Sequence, residues 1–447
     1  MALVTKAIKG TQDLLPADSY KNRYVEQAML DIATKFGYKE IRTPVFEHTE
    51  LFSRGVGDTT DVVQKEMYTF DDKGGRSITL RPEGTAGAMR AFLEHGLFNE
   101  PLPQKVSYLT SCYRYEKPQA GRLREFHQFG VECLGTAAPA ADAELIALGH
   151  SIFSFLGVEG LQLEINSIGC PECRKKYHAA LHEYFESHKS ALCGTCLDRL
   201  GRNPMRILDC KSPECGAIAK DAPKVLDYIC DECAAHFETV KKHLDAMNIP
   251  YVVNPTIVRG LDYYTRTVFE FVSTQIGAQG TVCGGGRYDG LAEQLGGTKT
   301  PSLGFALGIE RLMMLMQAQN TPLPEEERLD LYIASMGDEA NVVAAKIAAS
   351  LREEGIGVQY DVAGRSVKAQ MKFANKLGVR NTIVIGDSEI ESGKVTVKDM
   401  DGGESVEMEL DGFEDSYQNY LIQKAVSALA DAEGGVDVSG INIADLF

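Results

Sequence analysis

Between residues 20 and 36 the apolar positions recur at helical spacing: Tyr24, Val25, Ala28, Leu30, Ile32, Ala33 and Phe36. Gly37 stands where a C-terminal cap belongs. The pattern then changes to short strand-like runs at 40–44, 77–80, 105–115 and 126–134, separated by glycine, proline and charge. Strands in succession without long intervening helices predict an antiparallel sheet. Helical periodicity returns at 177–188 and 233–247, and strand signals resume at 251–253 and 268–272. A helical block within a sheet-forming region reads as an insertion, at 170–250 inside a first domain of residues 1–322. Polar, proline-containing sequence at 317–328 reads as a linker, with its core at 323–328. Beyond it, LYIA, VQYD and TIVIG alternate with amphipathic helices at 342–354 and 367–377; KVTVKDM, VEMEL and a helix at 415–432 follow. This alternation predicts a small α/β domain over 329–433, and 434–447 reads as a loose tail. The expected fold is therefore α+β on an antiparallel sheet with a helical insertion, followed by an α/β domain.

A chain of 447 residues suits about three folded units. Its net charge of −17, from 63 acidic and 46 basic residues, argues against holding nucleic acid by bulk charge, and DNA binding is not expected. Any phosphate must then be held by a local pocket. No run approaches the roughly 18 apolar residues of a membrane span. The opening MALVTKAIKGTQDLLP has no apolar segment typical of a secretory signal, so a cytoplasmic chain with reduced thiols is expected.

Four segments carry candidate chemistry. In Arg81-Pro-Glu-Gly-Thr85, Pro82 bars a continued central strand and Gly84 permits a sharp turn. The turn presents Glu83 beside Thr85, acceptors suited to an ammonium ligand, although an ordinary surface turn has the same composition. Next, Cys112-Tyr-Arg-Tyr-Glu116 and Leu123-to-Glu132, joined by the polar loop Lys117-to-Arg122, predict a long hairpin. Alternation puts Arg114 with Glu116 on one face and Gln128 with Glu132 on one face. Such a face is too polar for a core; a solvated sheet face with cross-strand ion pairs is the plain alternative. Arg259-Gly-Leu-Asp-Tyr-Tyr264 precedes Gly284-Gly-Gly-Arg-Tyr-Asp-Gly290, whose glycines let backbone approach a ligand but lack the lysine and spacing of a P-loop. Finally, Leu303-to-Arg311 joins small residues to an arginine that opens an amphipathic helix.

Taken in order, these segments resemble the histidyl-tRNA synthetase family of class II aminoacyl-tRNA synthetases. Lys9-to-Pro16 resembles that family's start, and Phe36-to-Pro44 its dimer-interface motif 1. Tyr113-to-Glu116 looks like motif 2 and Gly304-to-Arg311 like motif 3, while 259–264 and 284–290 look like its two histidine signatures. The resemblance implies activation of histidine by ATP with Mg²⁺, then transfer to the 3′ end of tRNA(His), in a homodimer. It assigns Arg114 to the α-phosphate, Glu116 to the adenine side, Arg311 to the γ-phosphate and Arg259 to catalysis at the α-phosphate. It gives the amino group to Glu83, Thr85 and Gln128, and the imidazole to Glu132 with Tyr263 and Tyr264. Lys117, Gln119 and Arg122 fall in the loop that meets ATP and the tRNA end. The domain from 329 resembles an anticodon-binding domain, and the polar stretch Arg365, Ser366, Lys368, Gln370 and Lys372 is suited to tRNA or to a solvated helix face. The alternative is a regulatory subunit of ATP phosphoribosyltransferase, which binds histidine without charging tRNA; the intact catalytic signatures and second domain speak against it, and the Arg114, Arg259 and Arg311 set speaks against a pure RNA-binding or amino-acid-sensing module.

One feature departs from the family picture. Eight cysteines fall in the insertion as Cys170/Cys173, Cys193/Cys196, Cys210/Cys215 and Cys230/Cys233. Nineteen residues separate Cys173 from Cys193, which suits a C-x₂-C…C-x₂-C template for structural zinc. Eight thiolates suffice for two Cys₄ sites, and unliganded thiols are the alternative. Cys112, Cys133 and Cys283 are expected in the core.

Overall fold

A computed structural model describes residues 4–57, 60, 62–210, 212–257, 262–275 and 280–432. The chain divides into two units, 1–324 and 325–447. The first is built on an eight-stranded sheet. Its strand order is Lys39–Glu40, Gln104–Tyr113, Glu125–Leu134, Ser302–Gly308, Thr281–Arg287, Thr265–Val272, Gln162–Ser167 and Val252–Val253. All neighbours are antiparallel except the pair at each edge. The long hairpin forms as the pattern predicts, pairing Thr110 with Gln128 and Val106 with Glu132.

Helices Pro16–Lys35, Pro139–Phe155 and Asp231–Ala246 contribute Val25, Met29, Leu145, Ile152 and Val240 to one core with sheet residues Phe129, Phe269 and Phe305. The helix Pro139–Phe155 is apolar on most of its circumference because it lies within this core, and Asp142 is its buried exception. Asp142 faces the fully buried Arg287, with Nη2–Oδ2 at 2.5 Å. A smaller sheet, Phe46–His48, Ser77–Leu80 and Thr69–Asp71, leads into helix Thr85–Glu94. Within the stretch 170–250 expected as the insertion, helices Pro171–Ser187, Gly194–Arg202 and Pro213–Lys220 bury Tyr177, Leu181, Phe185 and Leu200, whereas helix Asp231–Ala246 packs into the sheet core through Val240 and Leu244.

Three elements differ from the pattern. The strand expected at 40–44 ends at Glu40. The carbonyls of Thr43 and Pro44 turn instead to accept from the Arg81 guanidinium, at 2.9 and 3.2 Å. The first hairpin strand stops at Tyr113, so Arg114 and Glu116 lie beyond it rather than on its face. Helix Ile309–Gln319 runs into the expected linker and ends where Asn320 takes a left-handed conformation, φ 51°.

The second unit carries a five-stranded sheet ordered Val358–Tyr360, Leu331–Ser335, Asn381–Ile385, Lys394–Asp399 and Ser405–Glu409. The first three strands are parallel and the last two antiparallel. Helices Asp338–Glu353 and Phe413–Ala432 share a core with the sheet through Ala344, Ile347, Phe413 and Tyr417. Helix Val367–Leu377 packs through Ala374 on Tyr332 and Ala334. Gln370 is buried and holds the backbone of Ser335 at 2.8 and 2.9 Å, so it is a structural side chain and no part of an exposed basic stretch. Lys368 and Lys372 are exposed, and Arg365 pairs with Asp361 and stacks on Phe373. Among the described residues no helix is long and apolar enough to cross a membrane.

Candidate active site

A cleft of about 340 Å³ opens on the large sheet. Glu83, Thr85, Arg114, Glu116, Arg122, Gln128, Tyr263, Tyr264 and Arg311 line it together, although they come from six separated stretches of sequence. Lys117 and Gln119 are exposed and do not line it; the backbone of Gln119 braces the loop against Arg122. Arg259 lies outside the described residues.

One end of the cleft is cationic. Arg311 is held by its own hydrogen bonds to the carbonyls of Gly121, 3.1 Å, and Thr281, 2.8 Å. Arg114 donates from Nε to Pro82 O at 2.9 Å and lies over the Phe126 ring. Arg122 meets Glu116 at 3.2 Å. Burial lowers the Arg311 pKa, and the nearby Arg122 and Arg114 charges lower it further while Glu116 opposes them. Three guanidinium groups kept this close suit a polyanion such as a triphosphate.

The other end is carboxylate-rich and nearly dry. Glu83 is buried, and its oxygens accept from the amides of Thr85 and Ala86 at 2.6 and 2.9 Å, capping the first turn of Thr85–Glu94. This is why the Arg81–Thr85 turn exists. Burial raises the Glu83 pKa against those amides and the Arg114 charge. Glu132 is only 1% exposed, beneath the lining rather than on it. Tyr108 donates to it at 2.9 Å, and Tyr288 makes a short contact from the opposite side. Burial pushes its pKa up to about 8, with Glu83 adding to the rise and Tyr288, Thr85 and Tyr108 opposing it. Glycine makes this cage possible: a Cβ at Gly84 or Gly130 would strike the Tyr108 ring, and one at Gly304 would strike the Glu132 carboxylate. Tyr263, Tyr264 and Tyr288 close the pocket, with centroids 4.7, 5.4 and 6.4 Å apart.

Sequence reasoning did not single out Tyr108, Tyr288, Glu270 or Asp209. Tyr288 stood inside the quoted glycine motif. Tyr108 lies two residues from Thr110 on the same strand face and pairs with Gly130, between the flagged positions Gln128 and Glu132. The glycine run itself is corrected. Gly284 lines the cleft, but Gly285 and Gly286 make room for neighbouring strands: a Cβ there would strike Phe305 or Val268.

The eight paired cysteines converge into two four-thiol groups, Cys170/Cys173/Cys230/Cys233 and Cys193/Cys196/Cys210/Cys215. Within each, the sulfurs lie within 4.8 Å of one another. The pairing is nested, so the sequential template joining Cys173 to Cys193 does not hold; helix Pro171–Ser187 carries the chain away from the first pair before the second begins. Sγ–Sγ distances of 3.5 Å (Cys170–Cys173) and 3.8 Å (Cys193–Cys210) fit a tetrahedron with metal–sulfur bonds of about 2.3 Å. Amides of Cys230, Cys193 and Ser212 donate to Cys173, Cys215 and Cys210 sulfurs at 3.1, 3.2 and 3.5 Å, as thiolates require. Both groups can hold a metal ion.

An antiparallel sheet bearing a cleft with one cationic and one carboxylate end, followed by a small α/β domain, is the architecture of class II aminoacyl-tRNA synthetases. The histidyl-tRNA synthetase family model matches residues 10–312, and an anticodon binding domain model matches 330–419. The chain is 54% identical over 413 residues to the histidine–tRNA ligase of Clostridium novyi (strain NT), covering 92% of this chain and 98% of that protein. It is 54% identical over 417 residues to that of Caldanaerobacter subterraneus subsp. tengcongensis, covering 93% and 100%. The crystal structure of apo S. aureus histidyl-tRNA synthetase matches with a TM-score of 0.79 at 44% identity, over 92% of this chain and 99% of that one. An ATP phosphoribosyltransferase regulatory subunit/histidyl-tRNA synthetase structure from Bacillus halodurans, 21% identical with a TM-score of 0.62, shares the fold alone. The chain belongs to the histidyl-tRNA synthetase family.

Proposed function

We infer that this cleft performs histidine–tRNA ligation, with its two ends dividing the substrates between them. Histidine lies at the carboxylate end and ATP, with Mg²⁺ on its phosphates, at the arginine end. The histidine carboxylate attacks the α-phosphorus; the bond to the bridging oxygen breaks and pyrophosphate leaves, giving histidyl-adenylate. A ribose hydroxyl at the 3′ end of tRNA(His) then attacks the histidyl carbonyl, and AMP departs. No protein nucleophile is required, so catalysis is positioning and charge neutralisation.

Arg114 steadies the α-phosphate, Arg311 the γ-phosphate, and Glu116 the adenine side. Glu83, Thr85 and Gln128 take the α-ammonium group. Glu132 takes one imidazole nitrogen and Tyr264 the other, with Tyr263 behind. Arg122 lies where ATP and the tRNA end meet, and Lys117 and Gln119 on the exposed part of that loop suit the RNA. Arg259 is given the α-phosphate charge by the resemblance alone. The observation that carries this reading is the buried Glu132 between Tyr108 and Tyr288, because a caged carboxyl selects a substrate that offers it a polar ring atom.

The unit after 324 serves as the anticodon-binding domain, and the segment around 323–328 as its linker. The cysteine groups hold one zinc ion each as structural Cys₄ sites. The homodimer and the cytoplasmic location follow the family. Pyrophosphate–ATP exchange with each standard amino acid offered separately tests the reading: exchange with histidine alone supports it, and exchange with another amino acid or with none overturns it.

A further inference from the structure

The segment between Cys196 and Cys210 does more than close the insertion. It begins on helix Gly194–Arg202 and turns through Asn203 and Arg206 to Asp209. Asn203 Nδ2 and Arg206 Nη2 each donate to Asp262 Oδ1 at 3.3 Å. From helix Pro171–Ser187, Arg174 Nη1 donates to the Asp262 carbonyl, also at 3.3 Å. Asp262 is further pressed against Gly57, where a Cβ would lie 2.8 Å from the Asp262 carboxylate and where φ is 103°. The next two residues are Tyr263 and Tyr264, both nearly buried in the amino-acid end of the cleft. Tyr264 also forms a wall of a second cavity, about 290 Å³, lined by Arg174, Asn203, Arg206 and Asp262. At the far end of the segment, Asp209 lines the active cleft itself and is followed at once by Cys210.

The insertion therefore grips the histidine end of the cleft at Asp262, and the two residues that hold its carboxylate, Asn203 and Arg206, are enclosed between two pairs of cysteines. We propose that the Cys193/Cys196/Cys210/Cys215 group is a positioning site for a thiophilic divalent cation: by closing the segment between the two cysteine pairs, it holds Asn203 and Arg206 on Asp262 and so fixes Tyr263 and Tyr264 for histidine. Asn203, Arg206 and Asp262 are positioning residues, since they act through the tyrosines. The proposal rests on the cleft being the histidine site and on the cysteine groups binding metal. It adds that one of the two metal sites governs affinity for the amino acid. The other group, Cys170/Cys173/Cys230/Cys233, adjoins Arg174 on the Asp262 carbonyl but contributes none of Asn203, Arg206 or Asp209, so both of these hydrogen bonds to the carboxylate come from the segment that the Cys193/Cys196/Cys210/Cys215 group closes.

The test compares Arg206→Gln, Arg206→Lys and Cys210→Ser in the full-length protein. Zinc content, equilibrium binding of histidine and the separate KM values for histidine and ATP are read. Arg206→Gln should keep the wild-type zinc content and raise the histidine Kd and KM about tenfold, the size of one lost charge-assisted hydrogen bond. The ATP KM should stay within about twofold, because neither Arg122 nor Arg311 lines the cavity around Asp262. Arg206→Lys, which keeps the charge, should recover part of the loss. Cys210→Ser should lose one zinc ion and reproduce the histidine defect, and adding Arg206→Gln to it should cost little more. Normal histidine binding by Arg206→Gln overturns the clamp even if Cys210→Ser fails to fold. Loss of one ion with unchanged histidine binding overturns the positioning role but leaves the metal sites standing. Wild-type protein without zinc overturns the metal reading and the proposal with it. Absence of histidine binding by wild-type protein instead overturns the reading of the cleft.

Discussion

Glu132→Gln is the substitution that examines the histidine pocket most closely. The Glu132 carboxyl is buried, receives a hydrogen bond from Tyr108 at 2.9 Å and contacts Tyr288. Gln keeps the volume and one acceptor but can neither carry the charge nor share a proton with an imidazole. Losing one hydrogen bond to a charged group costs about 1.5–3 kcal/mol, so kcat/KM for histidine should fall ~10- to 150-fold. The KM for ATP should hold. The pH dependence is the sharper readout. With the Glu132 pKa raised to about 8, the carboxyl keeps its proton at neutral pH, and on the proposed reading it would share that proton with a bound imidazole. Above about 8 that proton is lost, and the wild-type histidine KM should rise about tenfold per pH unit. In Glu132→Gln it should be high and flat. Stability gives an independent check. The folded carboxyl keeps its proton to higher pH than the unfolded chain, whose usual value is 4.5, so Glu132 lowers stability as pH rises from 4.5 toward 8. The loss is at most about 1.4 kcal/mol per pH unit, and the Gln variant is spared it. Its Tm relative to wild type should therefore climb across that window. Pyrophosphate exchange from pH 6 to 9.5 and thermal melts would decide. A variant histidine KM within twofold of wild type, or a wild-type profile level above pH 8, refutes the reasoning.

Other substitutions separate the two ends of the cleft and its support. Arg311→Gln should raise the ATP KM about tenfold or more while equilibrium dialysis shows histidine binding unchanged, because the guanidinium stands with Arg114 and Arg122 at the anion end. Tyr108→Phe removes one donor from Glu132 and should raise the histidine KM about five- to thirtyfold in the exchange assay. Asp142→Asn should lower unfolding stability by about 1.5–3 kcal/mol in denaturant melts, since it removes the nearer of two carboxylates from the fully buried Arg287 and leaves Asp289 at 3.2 Å.

Period and turn chemistry made much of the fold readable. The hairpin at 105–134, the helix at 367–377 and the strand at 77–80 each followed from local alternation or helical spacing. What stayed hidden depends on contacts distant in sequence. The strand expected at 40–44 ended early because the Arg81 guanidinium draws in the Thr43 and Pro44 carbonyls, a contact across more than thirty residues. Arg114 and Glu116 were read onto a strand face, but Arg114 turns off the strand to reach Pro82. The cysteine pairs were visible; their nesting was not, because it depends on helix Pro171–Ser187 carrying the chain away from the first pair before the second begins. Glu83 announced itself as a carboxylate in a turn, and the structure shows the same group capping a helix while lining the cleft. Tyr108 gave no signal of its own. Its place is marked only by glycines at 84 and 130, whose need appears once the ring is seen between them.

As a histidine–tRNA ligase this chain joins histidine to tRNA(His), beyond merely binding histidine. The most direct test is charging of a tRNA(His) transcript by the purified protein with histidine and ATP, followed as acid-stable histidyl-tRNA. Charging should need ATP, accept histidine alone and leave non-cognate transcripts uncharged. Folded protein that binds histidine yet forms no histidyl-tRNA would contradict this activity and point to a regulatory histidine-binding subunit instead.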